Sequence, residues 1–239
     1  MNGISQPKSL EIEIIENQKN QLEYINANLI KTKLKFVFDY VGSIFLILLT
    51  SPILFLAFIL ILIESGRPII FKQKRSATKN GKIFTCYKLR TMVSSQSLKK
   101  NYLENNNPKL NILYNGAMYD SRITPIGKFL RRFRIDELSQ LFNILKGEMS
   151  LVGPRPLSIE DWEKFNISEE NINSFSRREE VKPGITGIWQ VSRGRTSSFS
   201  EMINFDLFYI NNQSRKLDLK IILRTVPVVL FEKNNLTEV

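Results

Sequence analysis

Histidine is missing from all 239 residues. Its absence excludes Ser-His-Asp and Cys-His catalysis and every imidazole metal site, leaving carboxylate, lysine, tyrosine or hydroxyl groups to move protons or attack. A catalytic metal in such a chain is held by oxygen, which favours Mg2+ or Mn2+. Cysteine occurs once, at Cys86, so no internal disulfide can form. The strand-like setting Ile83-Phe84-Thr85-Cys86-Tyr87 reads as a packed thiol rather than a nucleophile. Acidic residues are the minority: 23 Asp and Glu against 34 Lys and Arg leave a net charge of +11. Such a field attracts nucleic acid, anionic lipid or phosphorylated small molecules. No internal repeat or low-complexity tract is visible. With 43% hydrophobic residues the chain can bury one sizeable core, so one catalytic domain with appendages is expected.

From Tyr40 to Ile63 there is no charged residue. The run exceeds the roughly 20 residues that span a bilayer as a helix. It is not a signal peptide, because Met1 to Gln21 mixes acidic and basic residues and no small-residue cleavage site follows the run. Ser51-Pro52 stands at its middle, and proline removes a helix hydrogen bond and crowds the preceding turn. A half of the run, at about 1.5 Å per residue, is too short for a core of roughly 30 Å but can dip in and return. Lys31, Lys33 and Lys35 precede the run and Arg67, Lys72, Lys74 and Arg75 follow it, so the positive-inside rule orients no crossing. A re-entrant hairpin and a kinked crossing both stay open on these features, with Ser51 placed to satisfy backbone freed at the proline. Lys35 and Asp39, spaced i and i+4, form either an interfacial pair or an ordinary solvated one.

Beyond Pro68, Ile69-Ile70-Phe71-Lys72-Gln73 and Lys82-Ile83-Phe84-Thr85-Cys86-Tyr87 flank the turn dipeptide Asn80-Gly81 and predict a β-hairpin. Ser94 to Met118 is polar and Asn-rich and reads as a loop or weak helix. The apolar period of Ile126, Phe129, Leu130 and Phe133 shifts phase before Leu138, Leu141, Phe142 and Leu145. One helix therefore ends near Phe133 and another begins near Ile135, with Gly147 as its stop. Asp136 and Glu137 fall in that first turn, where they either serve phosphate chemistry or simply complement a helix dipole. Ser158-Ile159-Glu160-Asp161 resembles a capping box for a helix through Phe165. Val181-Lys182-Pro183-Gly184-Ile185-Thr186-Gly187 reads as a rigid turn-rich loop. Leu217 to Phe231 is an amphipathic final helix, either on a membrane surface or packed on the core.

The motifs Ser51-Pro52, Phe71-Lys72-Gln73, Tyr87-Lys88-Leu89-Arg90-Thr91-Met92, Asp136-Glu137-Leu138, Met149-Ser150-Leu151-Val152-Gly153-Pro154-Arg155-Pro156 and the 181–187 segment occur in one order. In this order the chain, from about Lys31 to Phe231, resembles the bacterial sugar transferases, monotopic polyprenyl-phosphate phosphoglycosyl transferases. The resemblance implies an α+β, mainly helical fold with three parts. They are a polar extension over 1–30, a re-entrant membrane helix-break-helix over 31–66, and a cytoplasmic catalytic domain over 67–239 with a small hairpin and membrane-surface helices. It implies that Asp136 attacks the β-phosphate of a UDP-sugar, releasing UMP, and that undecaprenyl phosphate then takes the phosphosugar. It further implies that Glu137 helps hold Mg2+, with Mn2+ as the substitute, at the cytoplasmic face of a bacterial inner membrane. Lys88, Arg90, Arg122, Arg131 and Arg155 are the candidates to mask phosphate charge, because an anionic nucleophile cannot otherwise approach. For each of these basic residues a salt bridge or a lipid headgroup is an equally good use. Anionic lipids are expected partners, and a homodimer stays open.

The chain departs from the family pattern at several points. Ser139 replaces a proline, Phe133-Arg134-Ile135 replaces a Thr-Ser-Leu-like approach, and Leu89 replaces a phenylalanine. Arg75-Ser76-Ala77-Thr78-Lys79-Asn80-Gly81 lacks the usual first glycine, and Ser192-Arg193-Gly194-Arg195 carries an inserted residue. The four-helix membrane domain of longer relatives is not seen ahead of Lys31. An alternative of another class is a noncatalytic membrane scaffold of a glycan assembly complex, against which the intact Asp136-Glu137 pair and Arg155 argue. Nucleic-acid binding is suggested by charge alone, and no recognisable module supports it.

Overall fold

A helix of 58 residues, Lys8–Ser65 (α1), organises the computed structural model. The structure describes residues 8–77, 81–93, 122–158, 161, 175–192 and 199–231, and in α1 side chains from Thr32 onward. The boundary expected near residue 30 is not marked by a break, because α1 runs continuously from Lys8. Its Thr32–Ser65 part, 34 residues, is long and apolar enough to cross a membrane. Phe45, Leu48, Phe55 and Ile63 are among the many large apolar side chains there that stay exposed. Pro52 lies inside the helix without ending it. A proline has no N–H, so the carbonyl four residues back loses its donor. That carbonyl belongs to Leu48, and Ser51 Oγ donates to it at 2.8 Å.

Both flanks of the apolar run are built into one folded body. On the first flank, Lys35 Nζ donates to Asp218 at 2.7 Å and to the Val152 carbonyl at 3.3 Å. The Asp39 carboxylate accepts from Leu151 N at 3.1 Å. The expected Lys35–Asp39 pair is present but long, at 4.0 Å, because the more buried Asp218 draws the ammonium. On the second flank, Ala57 and Ile61 pack with Ile69, Leu89 and Leu130, and Glu64 accepts from Ile126 N at 3.0 Å.

The predicted hairpin forms from Ile70–Ser76 (β1) and Phe84–Leu89 (β2), antiparallel with Lys72 opposite Tyr87. Its tip, including Asn80, lies outside the described residues, as does the 94–118 segment. Leu157–Ser158 (β4) adds to the other side of β1, so β2 is left at the edge. Ser158 and Asp161 make the expected reciprocal cap, Ser158 N to Asp161 Oδ2 at 2.9 Å and Asp161 N to Ser158 Oγ at 3.2 Å. The helix expected to follow it lies outside the described residues.

The 181–187 segment corrects the loop prediction. Gly184–Thr186 (β5) pairs in parallel with Ser150–Val152 (β3). Its glycines permit close backbone approach rather than a turn: a Cβ on Gly153 would lie 2.3 Å from the Lys182 carbonyl oxygen, and one on Gly184 would lie 2.1 Å from Gly153 N. Sequence periodicity could not find this strand, because three residues show no period.

Five further α-helices are described around the acidic turn: Pro125–Arg132 (α2), Leu141–Leu145 (α3), Ile188–Val191 (α4), Phe199–Asn211 (α5) and Arg215–Phe231 (α6). α6 buries Asp218, Ile221 and Val228 and exposes Leu219, Leu223, Val226 and Leu230. It thus packs on the core along one face and presents a second apolar face outward. Tyr209 of α5 and Met149, Val152 and Ile144 share the principal core with Ile221 and Val228.

Replacing Lys35 by Ala strands the buried Asp218 carboxylate with Tyr209, which donates to it at 2.8 Å, as its remaining hydrogen-bond partner among the described residues. A loss of about 1–3 kcal/mol is expected, less than for a fully enclosed pair because Lys35 is partly exposed. Thermal unfolding in detergent should show a lower midpoint for Lys35→Ala and no change for the exposed Lys33→Ala.

Candidate active site

The acidic pair sits where the helical phase breaks. α2 ends at Phe133, and Arg134 takes a left-handed conformation, φ 51°, that few non-glycine residues adopt. The chain then runs as a 3-10 helix over Ile135–Gln140 before α3. The predicted two-helix arrangement is present, with this tighter first segment added and with Gly147 at positive φ as the stop.

In a 3-10 helix side chains three apart align in rows. Ile135 and Leu138 form a row that packs inward. Glu137 and Gln140 form a second row, lining a narrow polar cleft with Arg75, Lys88 and Arg155. Asp136 and Ser139 form the third, and Ser139 lines a separate apolar groove on the other side. Asp136 itself is buried and lines neither recess.

Glu137 is ringed by cations. Lys88 Nζ donates to its Oε1 at 2.8 Å, Arg155 Nη1 lies 3.7 Å from the same oxygen, and Arg134 Nη1 lies 3.6 Å from Oε2. Burial pushes its proton affinity up, but Lys88, Arg155 and Arg134 together outweigh burial and hold it well below the usual carboxylate range. Asp136 goes the other way. Its burial, then the neighbouring Glu137 charge, push it up to about 6 against the pull of Lys88 and Arg131. Cys86 lines the cleft as a buried thiol pushed up chiefly by burial, which fits packing rather than attack.

Of the basic candidates, Lys88 and Arg155 meet at Glu137, and Arg131 acts on Asp136 electrostatically while its Nε donates to Thr91 Oγ1 at 2.8 Å. Arg122 stands beside the Met92–Ile123 bridge, its carbonyl accepting from Val93 N. Arg90 has an architectural use: it donates to the Gly66 carbonyl at 2.6 Å and to Ser65 Oγ at 2.8 Å, closing the end of α1. Ser51 and Pro52 lie in α1, away from the acidic turn in sequence.

Sequence reasoning missed Arg134, Arg75, Arg178 and Asn143. The Arg155 segment is gripped from two sides, by Arg75 Nη1 on the Pro156 carbonyl at 2.6 Å and by Arg178 Nη2 on the Arg155 carbonyl at 2.7 Å. Arg178 is wholly buried and lies 3.0 Å from Asp206, whose carboxyl burial pushes up to about 6. Asn143, fully buried in α3, reaches the open edge of β2: its Nδ2 donates to the Thr85 carbonyl at 2.7 Å and its Oδ1 accepts from Tyr87 N at 3.1 Å. It stands in for a neighbouring strand. No periodicity signals such a residue, although an Asn inside an apolar helical stretch is a cue.

Comparison with known proteins now has a geometry to meet. The sequence pattern of the family described as "Bacterial sugar transferase" matches residues 30–232. The chain belongs to the bacterial sugar transferases. It is 44% identical over 174 residues to the galactosyl transferase CpsE of Streptococcus agalactiae, covering 70% of this chain and 36% of that protein. It is 38% identical over 200 residues to the uncharacterized sugar transferase EpsL of Bacillus subtilis, covering 84% and 89%. A Klebsiella pneumoniae protein named UDP-glucose:undecaprenyl-phosphate glucose-1-phosphate transferase is 38% identical over 193 residues, covering 79% and 38%. The chain thus spans about a third of two of these relatives and nearly all of the third.

In this sugar transferase Asn143→Ala removes the partner of Thr85 O, Tyr87 N and Glu148 Oε2. At about 1–3 kcal/mol for each buried group left unpaired, a clear drop in the unfolding midpoint is expected. Hydrogen exchange should show the Tyr87 amide losing protection before the amides of β1, since the defect is local to the β2 edge.

Proposed function

We propose that the protein transfers a sugar-1-phosphate from a UDP-sugar to a polyprenyl phosphate such as undecaprenyl phosphate, through a covalent intermediate on Asp136. The observation that carries this reading is the contrast between two adjacent carboxylates, Glu137 within reach of Lys88, Arg155 and Arg134, and Asp136 buried with less charge compensation. Environments that push paired acids apart mark separate chemical roles. The Klebsiella relative's name supplies the donor and acceptor classes.

An Asp136 oxygen attacks the β-phosphorus of the donor, the bond from that phosphorus to the bridging oxygen breaks, and UMP leaves with the electron pair. An oxygen of the polyprenyl phosphate then attacks the same phosphorus, the bond to Asp136 breaks, and the carboxylate is restored as polyprenyl-diphospho-sugar departs. Lys88, Arg131 and Arg155 lower the negative potential that would otherwise repel the attacking carboxylate. Mg2+ fits the donor set in one form. Among the described residues no three His, Cys, Asp or Glu side chains converge to cage a metal. An ionised Glu137, however, suits the pattern in which one or two carboxylates join substrate phosphate oxygens around Mg2+. When bound, Mg2+ supplies charge neutralisation at the diphosphate.

We also infer a re-entrant α1 with both ends on the cytoplasmic face of a bacterial inner membrane. Lys35 and Ser65 both touch the same folded body, which is hard to reconcile with ends separated by a hydrocarbon core of about 30 Å. Cysteines introduced singly at Lys33 and Arg67 should be labelled by an impermeant maleimide from the cytoplasmic side only. Labelling from opposite sides would establish a crossing.

Asp136→Asn should abolish UMP release from a panel of UDP-sugars with Mg2+ and undecaprenyl phosphate, while membrane insertion persists. Turnover by the purified variant would remove Asp136 as nucleophile. Because the ionised carboxylate attacks, the rate of enzyme loading should fall about tenfold per pH unit once pH drops below about 6, and flatten above it. A rate insensitive to pH between 5 and 7 would count against the raised affinity.

A further inference from the structure

The three rows of the acidic turn separate two recesses, and the polar cleft accounts for one of them. The other is a groove of about 780 Å³ between the end of α1 and the hairpin face that carries Ile70, Lys72 and Tyr87. Its walls are predominantly apolar, and it opens beside the exposed apolar surface of α1, where Phe55 and Leu62 point outward. Three basic residues, Arg67, Lys72 and Lys146, border it, their stems adding to the apolar wall. Lys72 is directly opposite Tyr87 in the hairpin register, and Lys146 Nζ lies 4.5 Å over the Tyr87 ring while donating to its hydroxyl. Arg67 follows α1 by two residues, and neither Arg67 nor Lys72 has a carboxylate partner among the described residues.

We propose that this groove seats the acceptor polyprenyl phosphate, its first isoprene units along Phe58, Ile69 and Phe142 and its phosphate among Arg67, Lys72 and Lys146. The proposal rests on the transfer reading above. An apolar wall continuous with a lipid-facing helix and a cluster of basic residues at its border together match one chemistry, an apolar chain ending in a phosphate monoester with two negative charges. A UDP-sugar has no apolar tail to fill such a groove, and the polar Glu137 and Gln140 row faces elsewhere. Asp136 shares its row with Ser139, whose side chain lines the groove and whose Oγ donates to the Asp136 carbonyl at 3.3 Å. The groove thus lies beside the acidic turn and opens toward the apolar surface of α1, which permits the acceptor tail to remain in the bilayer throughout.

The test uses the full chain in lipid vesicles and a polyprenyl phosphate carrying a photoreactive diazirine on its first isoprene unit. Crosslinks mapped by mass spectrometry are expected on Phe58, Ile69, Ile70 or Phe142. Unlabelled polyprenyl phosphate should displace the probe and excess phosphatidylglycerol should not. Crosslinks confined to other surfaces, or equal displacement by phosphatidylglycerol, overturn the assignment, the latter making the groove a general site for anionic bilayer lipid. In turnover, the charge reversals Lys72→Glu and Lys146→Glu, both at exposed positions, should together raise the acceptor KM at least about tenfold while moving the donor KM less than about twofold. An unchanged acceptor KM overturns it as well. If the unsubstituted protein releases no UMP, the transfer reading fails, whereas the crosslinking, which needs no turnover, still decides the groove.

Discussion

Much of this fold hangs on one buried amide. β2 lies at the edge of its sheet, and an edge strand with free N–H and carbonyl groups has no fixed neighbour. Asn143 supplies the neighbour with a single side chain, pairing with Thr85 and Tyr87, and its Nδ2 is also held by Glu148 Oε2 at 2.6 Å. This locks α3, and the 3-10 helix that runs into it, against β2 at one register. Lys88 and Glu137, 49 residues apart in sequence, face each other for that reason.

Once that register is set, electrostatics follows from placement. Glu137 takes the side on which Lys88, Arg155 and Arg134 converge, whereas Asp136 takes the side with more burial than charge compensation. The left-handed Arg134 contributes twice, since its backbone turns the chain into the 3-10 segment and its guanidinium returns to Glu137. Holding a non-glycine residue in that conformation costs about 1–3 kcal/mol and persists where surrounding structure over-determines it. Here the supports are the packed Ile135 and Leu138 row and the Asn143 clamp.

The parts legible in the sequence were those with a strong local signature. The uncharged run, the paired strands on either side of Asn80-Gly81, the phase shift before Leu138 and the Ser158–Asp161 cap each rest on neighbours in sequence, and each appears. The parallel pair of β3 and β5 did not announce itself, because glycines that serve close backbone contact look like turn residues until the partner is known. Arg90 illustrates the same limit from the side of function. Its motif placed it near the chemistry, and in the fold its Nη2 also binds the Ser65 and Gly66 oxygens at the end of α1, a use no motif reveals. Arg75 and Arg178 carried no signal, since what distinguishes them is burial against carbonyls far away in the chain.

The packing of α1 has a consequence for how the protein is made. Ala57 and Ile61 supply one wall of the cluster containing Leu89 and Leu130, and Leu46 and Ile47 pack on the principal core. A version trimmed of this helix for solubility would expose both clusters at once. During synthesis α1 emerges ahead of the hairpin and the acidic turn, so the later segments have its packing faces as a surface on which to condense. The helix then serves as part of the folding template, and the catalytic turn is assembled on a wall that precedes it in the chain.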